Sequence, residues 1–335
     1  MERFPLVDPS QVSVARREAV RIARACGFSE EDQARLAVVV TELSGNTVRH
    51  GGGGAMIFGQ VRHGDDVCLQ GLWLDRGRGM ADPEACFRDG YSTGGTPGTG
   101  FGAAIRMSDG FDCYSRPGQG TVVLARLRAD RASGPSIDGP LAGWAVGSIA
   151  VAKAGETVSG DAWAIRCDGP RVCCVVADGL GHGPQAADAA AMALARFLDA
   201  PICEPAAMLE RIHLGMRSTR GGAVAVACID PGRHSVSFCG VGNVAGALAA
   251  RGLRRMVSMN GTAGGIASRI RAFEYPFEPP CVAILHSDGL SSQWTIDAYP
   301  GLLARDPAVI AGVVFRDHER GRDDATILVI KELAA

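Results

Sequence analysis

Apolar positions recur at helical intervals near the start of the chain. Between Ser10 and Cys26, the residues Val12, Ala15, Ala19, Ile22 and Ala23 share one face of a 3.6-residue repeat, and Gly27 follows as a C-cap. A second helix is predicted from Ser29, a capping residue trailed by Glu30, Glu31 and Asp32, where the helix dipole favours acids. It runs through Leu36, Val39, Val40 and Leu43 to the glycines at Gly51–Gly54. Strands are predicted over Ala55–Arg62 and Val67–Leu74, a helix near Phe101–Met107, and a closing strand over Thr121–Leu127.

Beyond residue 140 the pattern shifts to many short strands. They are predicted at Trp144–Ala152, Asp161–Cys167, Arg171–Ala177, Ala223–Asp230, Ser235–Val241, Val282–His286 and Thr326–Ile330, with long helices at Gln185–Leu198 and Ala206–Arg217. This is an α+β pattern with enough strands for two sheets. Between the halves, ADRASGPSIDGP lacks apolar periodicity and is rich in turn formers. The expected division is a domain over 1–129, a linker over 130–140 and a domain over 141–335.

Composition narrows the function classes. With 335 residues the chain exceeds what one core needs, and 47% hydrophobic with 21% charged residues is globular. A net charge of −2 leaves no basic excess to neutralise nucleic-acid phosphates. Apolar runs such as Val172–Ala177 are strand-sized, too short to span a bilayer. The start carries Glu2 and Arg3 and no apolar signal segment, so a cytoplasmic location is expected. The 11 cysteines are scattered through apolar strand patterns without a CxxC pair and read as buried reduced thiols. Lysine occurs only at Lys153 and Lys331, and no GxxxxGK[ST] loop exists, so a phosphate site must use backbone amides, arginine or a metal.

Candidate chemistry in the first half falls into three pieces. Glu42, Asn46 and His50 are four apart on the second helix and share a face; a carboxylate one turn from an amide suits a general base beside a metal-ligating carbonyl. Alone, such a face is commonly just solvated. LWLDRGRGM puts Asp75 at a strand end, where it can accept from an exocyclic amine, with Gly77 and Gly79 letting backbone approach a flat base. STGGTPGTGFGAAIRM then supplies Gly94, Gly95, Gly98, Gly100 and Gly102 ahead of a helix, a loop able to wrap phosphates.

Together these segments resemble the GHKL ATPases: ELSGNTVRHG their N box, DRGRG and GTGFG their two glycine boxes. Within that family the likeness is to the RsbT-type serine kinases of bacterial partner-switching pathways. The resemblance implies ATP with Mg²⁺. Glu42 would activate the attacking hydroxyl, Asn46 would hold the Mg²⁺, and Asp75 would bind adenine near Thr121. Gly77 and Gly79 would line the base, and Gly98, Gly100 and Gly102 would cover the phosphates. Arg76 and Arg78 depart from the usual smaller or acidic residues around the first glycine box.

The second half offers aspartates at strand ends or in glycine contexts: Asp161, Asp178, Asp288, Asp323 and Asp324. Any one Asp-Gly reads as a turn. Several in one α+β domain suit hard divalent cations, and a pair of such ions can activate water against a phosphate ester. SGDAW, VADGLGHGPQAA, FCGVGN, HSDGL and RDDATILVI resemble the SpoIIE branch of the PPM metal-dependent phosphatases, RsbX-type members above all. The resemblance implies two Mn²⁺ or Mg²⁺ ions, with Asp178 bridging, the Gly179 carbonyl adding a ligand, and Asp161, Asp288 and Asp323 completing the spheres. Asp324 would set the loop, and no arginine is clearly placed for substrate phosphate.

The expected architecture is a Bergerat-type GHKL α/β sandwich followed by a PPM-type α-β-β-α sandwich. The expected function is a bifunctional switch enzyme, kinase and phosphoserine/phosphothreonine phosphatase, acting on a STAS-domain protein or stressosome-like scaffold. The alternative is a phosphatase whose GHKL domain only binds ATP or a partner.

Overall fold

The computed structural model describes residues 1–63, 66–86, 100–129, 143–199, 201–267 and 269–333, with no account of the side chains of 62–66. The chain forms two compact units, Met1–Gly139 and Pro140–Ala335. The linker expected at 130–140 and the glycines Gly94, Gly95 and Gly98 lie outside the described residues.

The first unit runs β1 (Glu2–Leu6), α1 (Pro9–Ala25), α2 (Glu30–Gly51), β2 (Gly54–His63), β3 (Asp66–Asp75), α3 (Pro83–Cys86), α4 (Gly100–Met107), β4 (Gly110–Arg116) and β5 (Gly120–Arg128). Its strands make one antiparallel sheet in the order β1-β2-β3-β5-β4. Helix α1 starts on a capping box, Asp8 accepting from Ser10 N–H while Gln11 reaches back. Ser29 caps α2 by accepting from Asp32 N–H at 3.1 Å, and Gly52 ends it in the left-handed region. The apolar stripe of α1 (Ala15, Ala19, Ala23) and of α2 (Leu36, Val39, Val40, Leu43) meets Met56, Phe58, Leu69 and Trp73 of the sheet in one core. The polar face of α2 is thereby turned away from that core.

The second unit runs β6 (Trp144–Val151), β7 (Asp161–Asp168), β8 (Arg171–Gly179), α5 (Pro184–Leu198), α6 (Pro205–Gly215), β9 (Gly222–Asp230), β10 (Ser235–Val241), β11 (Ala245–Ala249), β12 (Leu253–Met256), β13 (Ser258–Met259), β14 (Phe273–Pro276), β15 (Val282–His286), α7 (Pro307–His318) and β16 (Ala325–Glu332). One sheet has the order β13-β10-β9-β8-β7, with β14 also pairing β10; the other has the order β12-β11-β15-β16-β6. Trp144, Val172, Cys174, Val176, Phe238, Leu285, Leu328 and Ile330 fill the space between them. The opposite face of β8 (Cys173, Val175, Ala177) packs on α5 and α6 through Ala189, Ala193, Phe197 and Leu209. Both faces of β8 are covered, which explains its unbroken apolar run. Helix α7 covers the second sheet at Gly147, where a Cβ would fall 2.0 Å from Ala308 N. The result is the α-β-β-α layering expected of this half.

One expectation needs correcting. Cys173 and Cys228 face each other in the β8–β9 register and form a disulfide, so the cysteines are not uniformly reduced thiols. Among the described residues, no helix is long and apolar enough to cross a membrane.

Candidate functional sites of the two units

In the first unit, Asp75 ends β3 directly opposite Thr121, the second residue of β5. Asp75 Oδ1 accepts from Gly77 N–H at 2.9 Å and from Thr121 N–H at 3.2 Å, while Thr121 Oγ1 lies 2.9 Å from Ser115 Oγ. The C-terminal turn of α2 crosses this strand end closely: a Cβ on Gly51 would sit 2.5 Å from Asp75 Cβ, and one on Gly77 would sit 2.7 Å from His50 O. Gly79 has φ of 66°, and its Cβ would strike Arg116 O at 1.9 Å. Glycine at 77 and 79 is therefore dictated by space and backbone conformation.

Glu42 and Asn46 lie on the same α2 face, and Gly100, the first residue of α4, abuts them; its Cβ would be 2.7 Å from Glu42 Oε2 and 3.9 Å from Asn46 Nδ2. Gly102 is buried two residues further on. Asn46 Oδ1 accepts from Arg49 Nη2 at 3.2 Å. His50 is held below the usual histidine range by burial, helped by the charges of Arg78 and Arg49.

In the second unit, Asp161 starts β7 and stands opposite Asp178, near the end of β8. Glycines let the surrounding chain close in. A Cβ on Gly179 would lie 2.1 Å from Ala186 O of α5, and one on Gly222 would lie 2.2 Å from Asp178 O. From the other sheet, the Ser287 hydroxyl donates to Asp161 Oδ2 at 2.6 Å and accepts from Thr326 N–H at 3.0 Å. The Asp288 backbone amide favours the charged form of the Asp178 carboxyl. Asn243 Nδ2 donates to Asp288 Oδ2 at 2.5 Å. Asp323 Oδ1 accepts from Asp324 N–H at 2.9 Å, and Asp324 accepts from Lys153 N–H and Gly160 N–H, each at 2.8 Å. Asp324 thus clamps the β6–β7 loop to the start of β16.

These carboxyl groups act on one another. Burial, reinforced by the charges of Asp161, Asp288 and Asp323, pushes Asp178 up to about 8. Burial, reinforced by Asp324 and Asp288 and opposed by the Ser287 hydrogen bond, pushes Asp161 up to about 7. Asp288 is raised by burial and by Asp323, with Arg320 and Asn243 opposing. Among the described residues, no three His, Cys, Asp or Glu side chains form a ready-made ligand cage. The donor set, all oxygen and strongly under-neutralised, fits hard divalent ions such as Mg²⁺ or Mn²⁺ that keep several waters. Asn243 and Ser287 belong to the GVGN and HSDGL segments, but their partners depend on which strands pair, which the sequence does not specify.

The histidine kinase-like ATPase domain family (HATPase_c_2) matches residues 6–127, and the stage II sporulation protein E (SpoIIE) family matches residues 168–332. Asp161 lies ahead of the second match and joins the site through the β7–β8 register. The serine/threonine-protein kinase RsbT of Bacillus subtilis (strain 168) is 32% identical over 114 residues, which are 34% of this chain and 86% of RsbT. The phosphoserine phosphatase RsbX of the same organism is 26% identical over 142 residues, 42% of this chain and 71% of RsbX. A solved structure from work on the bacterial stressosome, a modular system adapted to control secondary messenger signalling, superposes with a TM-score of 0.52 at 25% identity. It covers 56% of this chain and 99% of that one. Kinase-like and phosphatase domains of the partner-switching kind thus lie on one polypeptide. The chain belongs to the RsbT-type histidine kinase-like ATPase family through its first unit, and its second unit is a phosphatase domain matching the SpoIIE family.

Proposed function

We propose that the second unit hydrolyses phosphoserine or phosphothreonine on a protein, with two Mn²⁺ or Mg²⁺ ions held by Asp161, Asp178, the Gly179 carbonyl, Asp288 and Asp323. The observation that carries this reading is the mutual electrostatic pressure among carboxyl groups from four separated stretches of chain. Such a site is stable in its charged form only beside cations. Bound metal would supply Lewis acidity and a hydroxide at neutral pH. The chain's own part is orientation: Ser287 fixes Asp161, Asn243 fixes Asp288, and Asp324 ties the loop that carries Gly160.

The first unit, on this proposal, binds ATP with Mg²⁺. Asp75 and Thr121 meet adenine, Asn46 holds the ion, Gly77, Gly79, Gly98, Gly100 and Gly102 give the backbone close approach, and Glu42 takes the proton of a protein hydroxyl. The two chemistries oppose each other on a shared cytoplasmic partner, a STAS-domain protein or stressosome-like scaffold. That partner class is supported by the relatedness to RsbT and RsbX. Tethering keeps both activities at high effective concentration around one substrate.

A second reading makes the first unit a nucleotide- or partner-binding module without transfer. The Arg49 hydrogen bond on Asn46 Oδ1 favours it, because that oxygen is the one an Mg²⁺ would need. The test is sequential: incubate the chain with a co-encoded STAS-domain protein, ATP and Mg²⁺, then exchange into Mn²⁺ without nucleotide. Phosphate should appear on the partner and then leave it. A partner that is never phosphorylated, yet is dephosphorylated when supplied as phosphoprotein, supports the second reading. Failure of both steps overturns the proposal.

A further inference from the structure

We infer that Arg220 binds the substrate phosphate of the second unit's site, a conclusion that rests on the phosphatase reading. A metal site built from carboxylates attracts cations, but a phosphate ester brings negative charge into it, and a nearby cation that the carboxylates have not already neutralised is needed to offset that charge. Arg220 sits just before β9, whose first residue, Gly222, pairs with Gly179. The loop that follows Asp178 and Gly179 is pinned to this point, because Leu180 N–H donates to Gly221 O at 2.9 Å.

The Arg220 guanidinium lies against that loop. Gly181 adopts φ of 87°, and a Cβ there would be 3.4 Å from Arg220 Nη1. The carbonyl of Gly181 approaches Gly160, the neighbour of Asp161: a Cβ on Gly160 would be 3.5 Å from Gly181 O. The loop at Gly181 thus runs between the Arg220 guanidinium and the Gly160 segment that leads into Asp161. The Arg220 side chain is exposed, and among the described residues no carboxylate pairs with it. Arg320 already answers the charge of Asp288. Arg220 is therefore open to an anion arriving from solvent, with a planar fork suited to two phosphate oxygens.

The experiment titrates inorganic phosphate calorimetrically into the full-length chain saturated with Mg²⁺, after measuring Mg²⁺ affinity itself, for wild type, Arg220→Ala, Arg220→Lys and Arg320→Ala. Loss of a charge-assisted contact should weaken phosphate about tenfold to hundredfold in Arg220→Ala with Mg²⁺ affinity unchanged, less in Arg220→Lys, and within about twofold in Arg320→Ala. Wild-type phosphate affinity in Arg220→Ala, or the loss appearing in Arg320→Ala instead, overturns the inference while leaving the phosphatase reading intact. A wild-type chain that binds no Mg²⁺ overturns that reading and the inference with it.

Discussion

Asp161 and Asp178 face each other in register across β7 and β8, and both carboxyl groups are pushed above the ordinary aspartate range by burial and by their neighbours' charge. Like charges directly opposite in an antiparallel ladder weaken the sheet, so this pair costs stability unless protons or cations neutralise it. Replacing one member should therefore split stability from activity. Asp178→Asn is expected to raise the melting temperature of the metal-free chain by a few degrees, on the order of 1 kcal/mol. The same change should abolish the added protection by Mn²⁺ and lower phosphoprotein hydrolysis by about 100-fold or more, since even outer-shell changes cost about 10–100-fold. Calorimetry with and without Mn²⁺, beside a hydrolysis assay, reads both effects.

The pH dependence of the metal-free chain follows with a definite sign. Asp161 and Asp178 titrate at about 7 and about 8 in the fold, against an ordinary 3.8. Between those limits the folded state binds more protons than the unfolded state, so these groups make stability fall as pH rises. Their contribution is fully present below about pH 4 and is lost as pH climbs through the folded values. Melting temperature measured in EDTA should decline from pH 5 to pH 8, and saturating Mn²⁺ should flatten the decline. A metal-free profile that rises over this range contradicts the assignment.

Asp323 and Asp324 are adjacent yet should behave differently. Asp324 is buried and accepts two backbone N–H groups, from Lys153 and Gly160. Asp324→Ala strands both donors and is expected to cost roughly 2–4 kcal/mol of stability. Asp323 is half-buried and its charge acts on Asp178 and Asp288. Asp323→Ala should leave the metal-free melting temperature close to wild type and weaken Mn²⁺ binding by about tenfold. Denaturant unfolding and Mn²⁺ titration of the two variants separate the roles.

In the first unit, Glu42→Gln keeps the size of a side chain that Gly100 abuts and removes its basicity. Loss of phosphotransfer by about 100-fold or more, with ATP affinity retained, is the outcome expected of a general base. Retained transfer in Glu42→Gln would remove Glu42 from that role.

Gly79→Ala tests the first glycine box. A left-handed φ of 66° combined with a Cβ 1.9 Å from Arg116 O leaves no room for any side chain. The substitution should destabilise the first unit by about 2 kcal/mol or more and lower ATP affinity, with the second unit's hydrolysis unchanged. Differential scanning calorimetry with and without ATP checks it.

Much of the architecture is legible where local signals agree. Helix α2 begins where Ser29 and its trailing acids place it, and the strands Ser235–Val241 and Val282–His286 stand where alternation or a short apolar run predicts them. Helix α7 has no legible signature, because Ala308 through Phe315 is buried on every side, which erases the helical stripe. Strand β1 is only five residues and includes Pro5, and it exists through its pairing with β2. The Cys173–Cys228 bridge depends on the β8–β9 register, which periodicity within either strand does not specify. At the sites, the aspartates are visible as strand-end residues. Their supports are less so: Ser287 serves Asp161 and Asn243 serves Asp288 across 126 and 45 residues of chain, respectively.

The central claim is that separated carboxylates act together on divalent cations, and direct counting of bound Mn²⁺ tests it most simply. Electron paramagnetic resonance titration of the full-length chain at neutral pH, without nucleotide, should show saturable binding of a pair of ions in the wild type and its collapse in Asp178→Asn. Mn²⁺ that stays free in the presence of the wild type, or binds Asp178→Asn equally well, contradicts the account.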